Sequence, residues 1–266
     1  MADNKNFDMN NFVIDRIVRG IALDQKNDTV LFSINQIQNA SLNCASESTD
    51  AVDAMGTPIA TFYRAKSAEF SAENALFDMN LMATQLGTAK KVANANSTIL
   101  APAMESFIVS GTTHTLKHTP VGNIKEIYAL NADNTFGDKY KLATGSTAGA
   151  DTFAVSGTTL SLPTSVDTGT EMFVMYEYNA KQAVEVVNSA TQFPVGCKFV
   201  MEVLGCDVCD QTNLVYAYVI FNNAKLSPDF DWSIATDGTH PFSMKAQQDY
   251  CDREKRLFSI IIPGDE

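Results

Sequence analysis

The sequence predicts a mainly β protein with one flanking α-helix, on three observations. Short apolar runs with strand-like alternation recur from residue 30 almost to the C-terminus. Clusters of Gly, Pro, Asn, Asp and Thr separate them at short intervals. A single stretch, AENALFDMNLMATQLG after Ser71, carries apolar side chains at helical spacing.

Taken in order, Val30, Phe32 and Ile34 alternate with Leu31, Ser33 and Asn35, a strand with one buried side. Residues 46–58, SESTDAVDAMGTP, are small, acidic and Gly/Pro punctuated, too poor in large apolar groups for a core element, and read as a long exposed loop. Residues 59–70 send Phe62 and Phe70 one way and Ile59 and Tyr63 the other, with Arg64 and Lys66 interrupting, a pattern that suits a projecting hairpin. In the helix, Leu76, Met79, Ala83 and Leu86 form the apolar stripe, Ser71 precedes the first turn with Glu73 in it, and Gly87 marks the stop.

Beyond the connector KKVANANST the composition turns to Thr, Ser, Gly and Val. Extended runs at SFIV, THTLK, NIKEIYAL, DTFAV, TTLSL, EMFVMYEY and AVEVV suggest a seven-strand sandwich over residues 102–193. VSGTT, at residues 109 and 155, is short enough to be hairpin convergence instead of duplication. Strands return after Pro194, at residues 198–204, 214–221 and 256–262. LVYAYVIF and LFSIII are apolar on both faces, so both must be covered, by the helix on one side and a partner subunit or second sheet on the other.

The chain has 266 residues, 45% hydrophobic and 19% charged, with mean hydropathy −0.07, the composition of a globular protein with room for one large domain or two. Nineteen basic against 31 acidic residues leave a net charge of −12, which disfavours tight nucleic-acid binding. The first residues show no apolar leader, and the longest apolar run, residues 214–221, is eight long, far short of a membrane span. Five cysteines, an odd number, are expected as reduced thiols.

Motifs for chemistry are weak. Cys206 and Cys209 form a lone CxxC with Cys197 upstream, and zinc would need Cys44 or Cys251 as well. His114 and His118 lack an HExxH context and are expected to face solvent. Acid pairs such as Asp50 with Asp53 or Asp207 with Asp210 lack the apolar pocket that would raise a carboxyl pKa. No GxSxG, GxxxxGK or GxGxxG is present. No catalytic, cofactor-binding or metal-binding residue is assigned, and the expectation is a protein that is not an enzyme.

Residues 12–20 (FVIDRIVRG), 66–87 (KSAEFSAENALFDMNLMATQLG), 215–230 (VYAYVIFNNAKLSPDF) and 242–263 (FSMKAQQDYCDREKRLFSIIIP) together resemble the major tail tube proteins of tailed bacteriophages. The resemblance implies a tube-type β-sandwich or barrel from residues 1–101 and 194–266, with residues 102–193 inserted as an immunoglobulin-like β-sandwich. It implies six copies closing into a ring, rings stacking into a channel, and DNA transiting the lumen without specific binding. Other tail proteins at the tube ends and a possible sheath would be the partners, with no membrane, and the location would be the virion tail, assembled in the host cytoplasm. On that footing Glu47, Asp50, Asp53, Met55, Pro58, Phe62 and Tyr63 are the expected subunit or ring contacts. The alternative is a head decoration or adhesin-type protein whose sandwich binds a surface glycan, although the only Trp, Trp232, lies outside that segment.

Overall fold

The computed structural model describes residue 9, residues 11–250 and residues 253–264. Strands β1 (Phe12–Asp24), β2 (Val30–Ile34), β3 (Ile37–Val52) and β4 (Pro58–Asn74) lead into the helix α1 (Met79–Gln85). Next come β5 (Lys91–Val92), β6 (Ile99–Ile108), β7 (Thr113–Thr115), β8 (Glu126–Leu130), β9 (Phe136–Leu142), β10 (Thr152–Ser156), β11 (Thr159–Ser161), β12 (Glu171–Ala180) and β13 (Val184–Glu185). Finally β14 (Gly196–Asp207), β15 (Asp210–Leu226), β16 (His240–Ala246) and β17 (Ser259–Ile261) close the order. The protein is mainly β, and no helix among the described residues is long and apolar enough to cross a membrane.

Two compact units result. The first uses the chain up to Lys90 and from Val186 onward, and the second is Lys91–Glu185. The first unit is one sheet in the order β2-β1-β14-β15-β16-β4-β3, with β17 paired to β15. It is curled, because Phe32 near one end and Phe70 near the other both pack on the central Phe199, at ring distances of 6.3 and 5.7 Å. Phe70 also meets Phe221 at 5.9 Å and Phe242 at 6.0 Å, so one residue ties three strands together. Leu81 of α1 is fully buried in this cluster.

The helix is shorter and later than its sequence pattern suggests. Residues 71–74 continue β4, because Phe70, Ala72 and Asn74 alternate inward at period two. Asp78, not Ser71, is the N-cap, its carboxylate accepting from Asn80 N–H and Leu81 N–H. Leu76 is exposed, and the buried helical side chains are Leu81, Ala83, Thr84 and Gln85. The stop is as expected: Gly87 follows the C-cap Leu86 at φ +69°. A Cβ there would also lie 2.3 Å from the Phe193 backbone, so glycine permits the turn and this close approach together.

The second unit is a seven-stranded path, β6-β12-β8-β9-β10-β11-β7, beside the small pair β13-β5. The path bends back on itself, since Phe107 of β6 and His114 of β7, from its opposite ends, stack at 3.6 Å. The strand set differs from the sequence reading. FGDKYKL forms β9 despite its charges, because it alternates on a half-exposed surface, whereas AVEVV contributes only the two residues of β13. β6 already starts at Ile99. The second VSGTT is the β10–β11 turn, with Gly157 at φ +59°, while the first links β6 to β7, so the same five residues adopt different local structures.

Candidate assembly surface

Residues 46–58 are exposed as expected, but they are not a loop. β3 continues to Val52 and β4 begins at Pro58, paired in register, with Glu47 opposite Arg64, Asp50 opposite Thr61 and Val52 opposite Pro58. Backbone pairing satisfies the polar groups without burial, which is why a sequence with no apolar periodicity still forms strands. β4 has β16 on its other side only over residues 69–74, so residues 46–66 form a two-stranded arm on which every residue is exposed. Arg64 and Lys66 flank a bulge at Ala65, φ +46°, where one extra residue bends the arm.

The seven expected contact residues fall on this arm. Asp53 builds its tip, accepting at 2.8 Å from Met55 N–H and at 2.9 Å from Thr57 N–H, with Gly56 at φ +84°. Asp50 accepts from the Thr61 hydroxyl at 2.7 Å. Met55 is 88% exposed, Tyr63 72% and Phe62 56%. The arm also carries Ile59, 72% exposed, and Val52, 55% exposed, which the sequence reading did not select. Both stand out only once the strand is known to have no core on either face.

A second surface lies on the same unit. Residues 12–19 of β1 pair only with β14, because β2 joins at Gly20. Residues 210–217 of β15 likewise pair only with β14, because β17 joins at Tyr218 and β16 at Ala224. The β1–β14–β15 flap therefore has two open edges among the described residues. β15 buries Val215, Ala217 and Phe221, while Leu214 and Tyr216 are exposed, so the expected cover over both faces of this strand is absent within one chain. Ile14, opposite Gly205, is 62% exposed. Arg19 donates to Glu202 at 2.7 Å and Tyr218 donates to the same carboxylate at 3.3 Å. Burial and then the Glu202 charge raise the Tyr218 pKa, which keeps the phenol as the donor.

Gly205 sits where this flap is tightest. A Cβ there would lie 2.2 Å from the Val13 carbonyl oxygen and 2.5 Å from the Phe12 ring, so β1 and β14 can approach this closely only at glycine.

The remaining candidates are dispersed. Cys197 and Cys206 are both buried on β14, nine positions and roughly 30 Å of strand apart, Cys209 is in the β14–β15 turn, and Cys44 is exposed on β3. Cys251 lies outside the described residues. No group of three or more His, Cys, Asp or Glu among the described residues is arranged to hold a metal ion. Asp207 and Asp210 each turn onto their own bend, accepting from Cys209 N–H and from Thr212. His114 is not solvent-facing: it is half-buried against Phe107, with Nε2 3.8 Å from the buried Glu105 carboxylate. His118 is exposed but stacked on Tyr178 at 3.8 Å. Trp232 stacks on Phe77 in the first unit, whereas Tyr128, Phe136 and Phe173 line up across the second unit's sheet at 4.9 and 5.2 Å, an aromatic row that a search for Trp passes over.

A family model described as the YomU/Tube protein family matches residues 12–256, a span that takes in both units, the arm and the flap. No curated protein matches the chain in sequence.

Proposed function

This chain belongs to the YomU/Tube protein family, and on that premise we propose that it is a non-enzymatic structural subunit of a bacteriophage tail tube. Six copies close into a ring through the open flap edges, rings stack through the β3–β4 arm, and DNA passes along the lumen during ejection. The second unit is an immunoglobulin-like insertion within the tube domain. The assembly is part of the virion tail, built in the host cytoplasm, with further tail proteins at its ends.

The observation that carries this reading is the pair of open edges on the β1–β14–β15 flap. A row of unpaired N–H and C=O groups with exposed apolar side chains is an aggregation hazard unless another strand completes it. Closed cyclic symmetry pairs the β1 edge of each copy with the β15 edge of the next, and the ring closes with no edge left over. The net charge of −12 fits a conduit that repels its phosphate cargo. The arm is paired yet unburied in the single chain, and in this reading it gains its burial from the next ring.

Electron microscopy of the purified protein tests the reading. Rings or tubes are expected; dispersed monomers at high concentration would overturn it. Ile14→Lys with Leu214→Lys should prevent ring closure. Replacing residues 46–58 by a short Gly-Ser link should leave rings that no longer stack, and unchanged tubes would remove the stacking role from the arm.

A further inference from the structure

The second unit contains a groove of about 760 Å³ whose lining includes Lys117, His118, Tyr178, Asn179, Lys181 and Gln182. No Asp or Glu lines it, in a chain whose net charge is −12. Lys117, His118 and Lys181 are all exposed there. Glu177, next in sequence to Tyr176 and Tyr178, points to the opposite face of β12, as the inward alternation of Met172, Val174 and Tyr176 requires. The groove is therefore a local concentration of cationic groups on an acidic molecule.

Its wall is held from beneath. Glu105 is buried inside the unit, where it accepts from Lys117 N–H at 3.0 Å and from the Tyr176 hydroxyl. That same hydroxyl accepts from His118 N–H at 3.0 Å. Burial, followed by the bond to Glu105, pushes the Tyr176 pKa up to about 12. Further along, Pro120 bridges to Tyr178 and Val121 N–H donates to the Glu177 carbonyl at 2.7 Å. Burying a carboxylate is costly unless every lone pair finds a use. Here its use is to fix the backbone of the two residues that present Lys117 and His118. A wall ordered in advance lowers the entropy cost of binding.

We propose that this groove binds an acidic oligosaccharide, with Lys117 and Lys181 holding its carboxylate or phosphate groups and a sugar ring lying against the stacked His118–Tyr178 pair. The volume is in the range of sites that enclose a small ligand. The two ammonium groups supply charge, the ring pair a rigid flat ledge, and the Gln182 amide a donor and an acceptor for hydroxyls. A long nucleic acid is disfavoured, since the chain's net charge of −12 repels a continuous phosphate backbone. The groove is lined by residues of the second unit alone and the proposal does not rest on ring formation, so a failure here would leave the tube reading untouched.

Isothermal titration of the full-length chain at low ionic strength tests it, using trigalacturonate, a phosphorylated mannotriose, unmodified mannotriose and inorganic tripolyphosphate. Binding of either acidic trisaccharide is expected, weakened at least about tenfold by Lys117→Gln with Lys181→Gln and weakened by added salt. Which acidic sugar binds tells carboxylate from phosphate recognition. The lysines are surface residues, so circular dichroism of the double variant should be unchanged. No heat with either acidic sugar, equal binding of unmodified mannotriose, full binding by the double variant, or tripolyphosphate binding as tightly as the sugars would each overturn the proposal.

Discussion

The two ends of β4 stand in different surroundings. Along residues 68–74, Ala68, Phe70, Ala72 and Asn74 are buried, and over residues 69–74 both β16 and β3 flank the strand. Along residues 58–67 every side chain is exposed and only β3 lies beside it. The inner half is held by burial, the outer half by a ladder, a bulge and a capped turn. Each ladder bond nets only about 1 kcal/mol, while ordering a residue costs about 1–2 kcal/mol, so an isolated two-stranded ribbon is marginal. The contrast separates the part of the strand that stabilises the fold from the part that burial does not support.

The largest expected break in that contrast is at Phe70. Phe70→Ala removes the ring that joins Phe199, Phe221 and Phe242, and should lower the stability of the first unit by about 3–5 kcal/mol in urea unfolding. Thiol alkylation gives an independent reading. Cys197 is buried and its pKa is pushed up to about 11 by that burial, so in the native protein it should react far more slowly than Cys44 and Cys209, and Phe70→Ala should expose it. Phe62→Ala, on the outer half, should change subunit stability by no more than about 0.5 kcal/mol.

Gly205→Ala comes next. The new methyl would meet the Val13 carbonyl oxygen, so β1 must shift off β14, at a cost of about 1–3 kcal/mol. Because the strain falls on the flap, ring formation should fail at protein concentrations where the unit is still folded. Intact assembly of the variant would argue that the flap edges are not joined between subunits.

How much of this was legible in the sequence follows the same division. Where burial sets the pattern, residues reveal their place: Phe32 and Ile34 point inward as their alternation predicts, although Val30 of the same set is exposed at the strand's start, and Gly87 ends the helix. Where hydrogen bonding alone sets it, they do not. Residues 46–52 carry no apolar period, so a strand there looks like a loop. The helix start is not legible because the stretch AENALF fits period two and period 3.6 alike, and only the pairing of β4 with β16 decides. The Glu105 network was invisible because its members are 12 and 71 residues apart along the chain.

A smaller effect, set by pH, concerns the junction of the inner sheet with the helix. His240 is fully buried on β16, its Nδ1 accepting from Asp78 N–H and its Nε2 consequently donating to Gln85 Oε1 at 2.8 Å. Burial lowers its pKa below the usual 6.5, against the opposing pull of the Asp78 carboxylate. A histidine held neutral in the fold binds fewer protons than in the unfolded chain. Its contribution is therefore present above about pH 6.5 and is lost as pH falls from there through the depressed folded value. The urea midpoint should drop on acidification through that window, and His240→Gln should flatten the slope.

The smallest expected effect is at the tip. Asp53→Ala removes the acceptor shared by Met55 N–H and Thr57 N–H, yet both donors are solvent-exposed and can bond to water instead. Unlike the loss of a buried acceptor, no desolvation penalty is left behind, and global unfolding should move by no more than about 0.5 kcal/mol. What should change is local: amide exchange at residues 54–57 should quicken, while exchange in the inner half of β4 stays slow. If the tip inserts into a neighbouring ring, the loosened turn must be ordered again on docking, so stacking should weaken although the subunit is as stable as before. A fall in subunit stability matching any loss of stacking would instead mean that the arm supports its own fold and holds nothing in reserve for a partner.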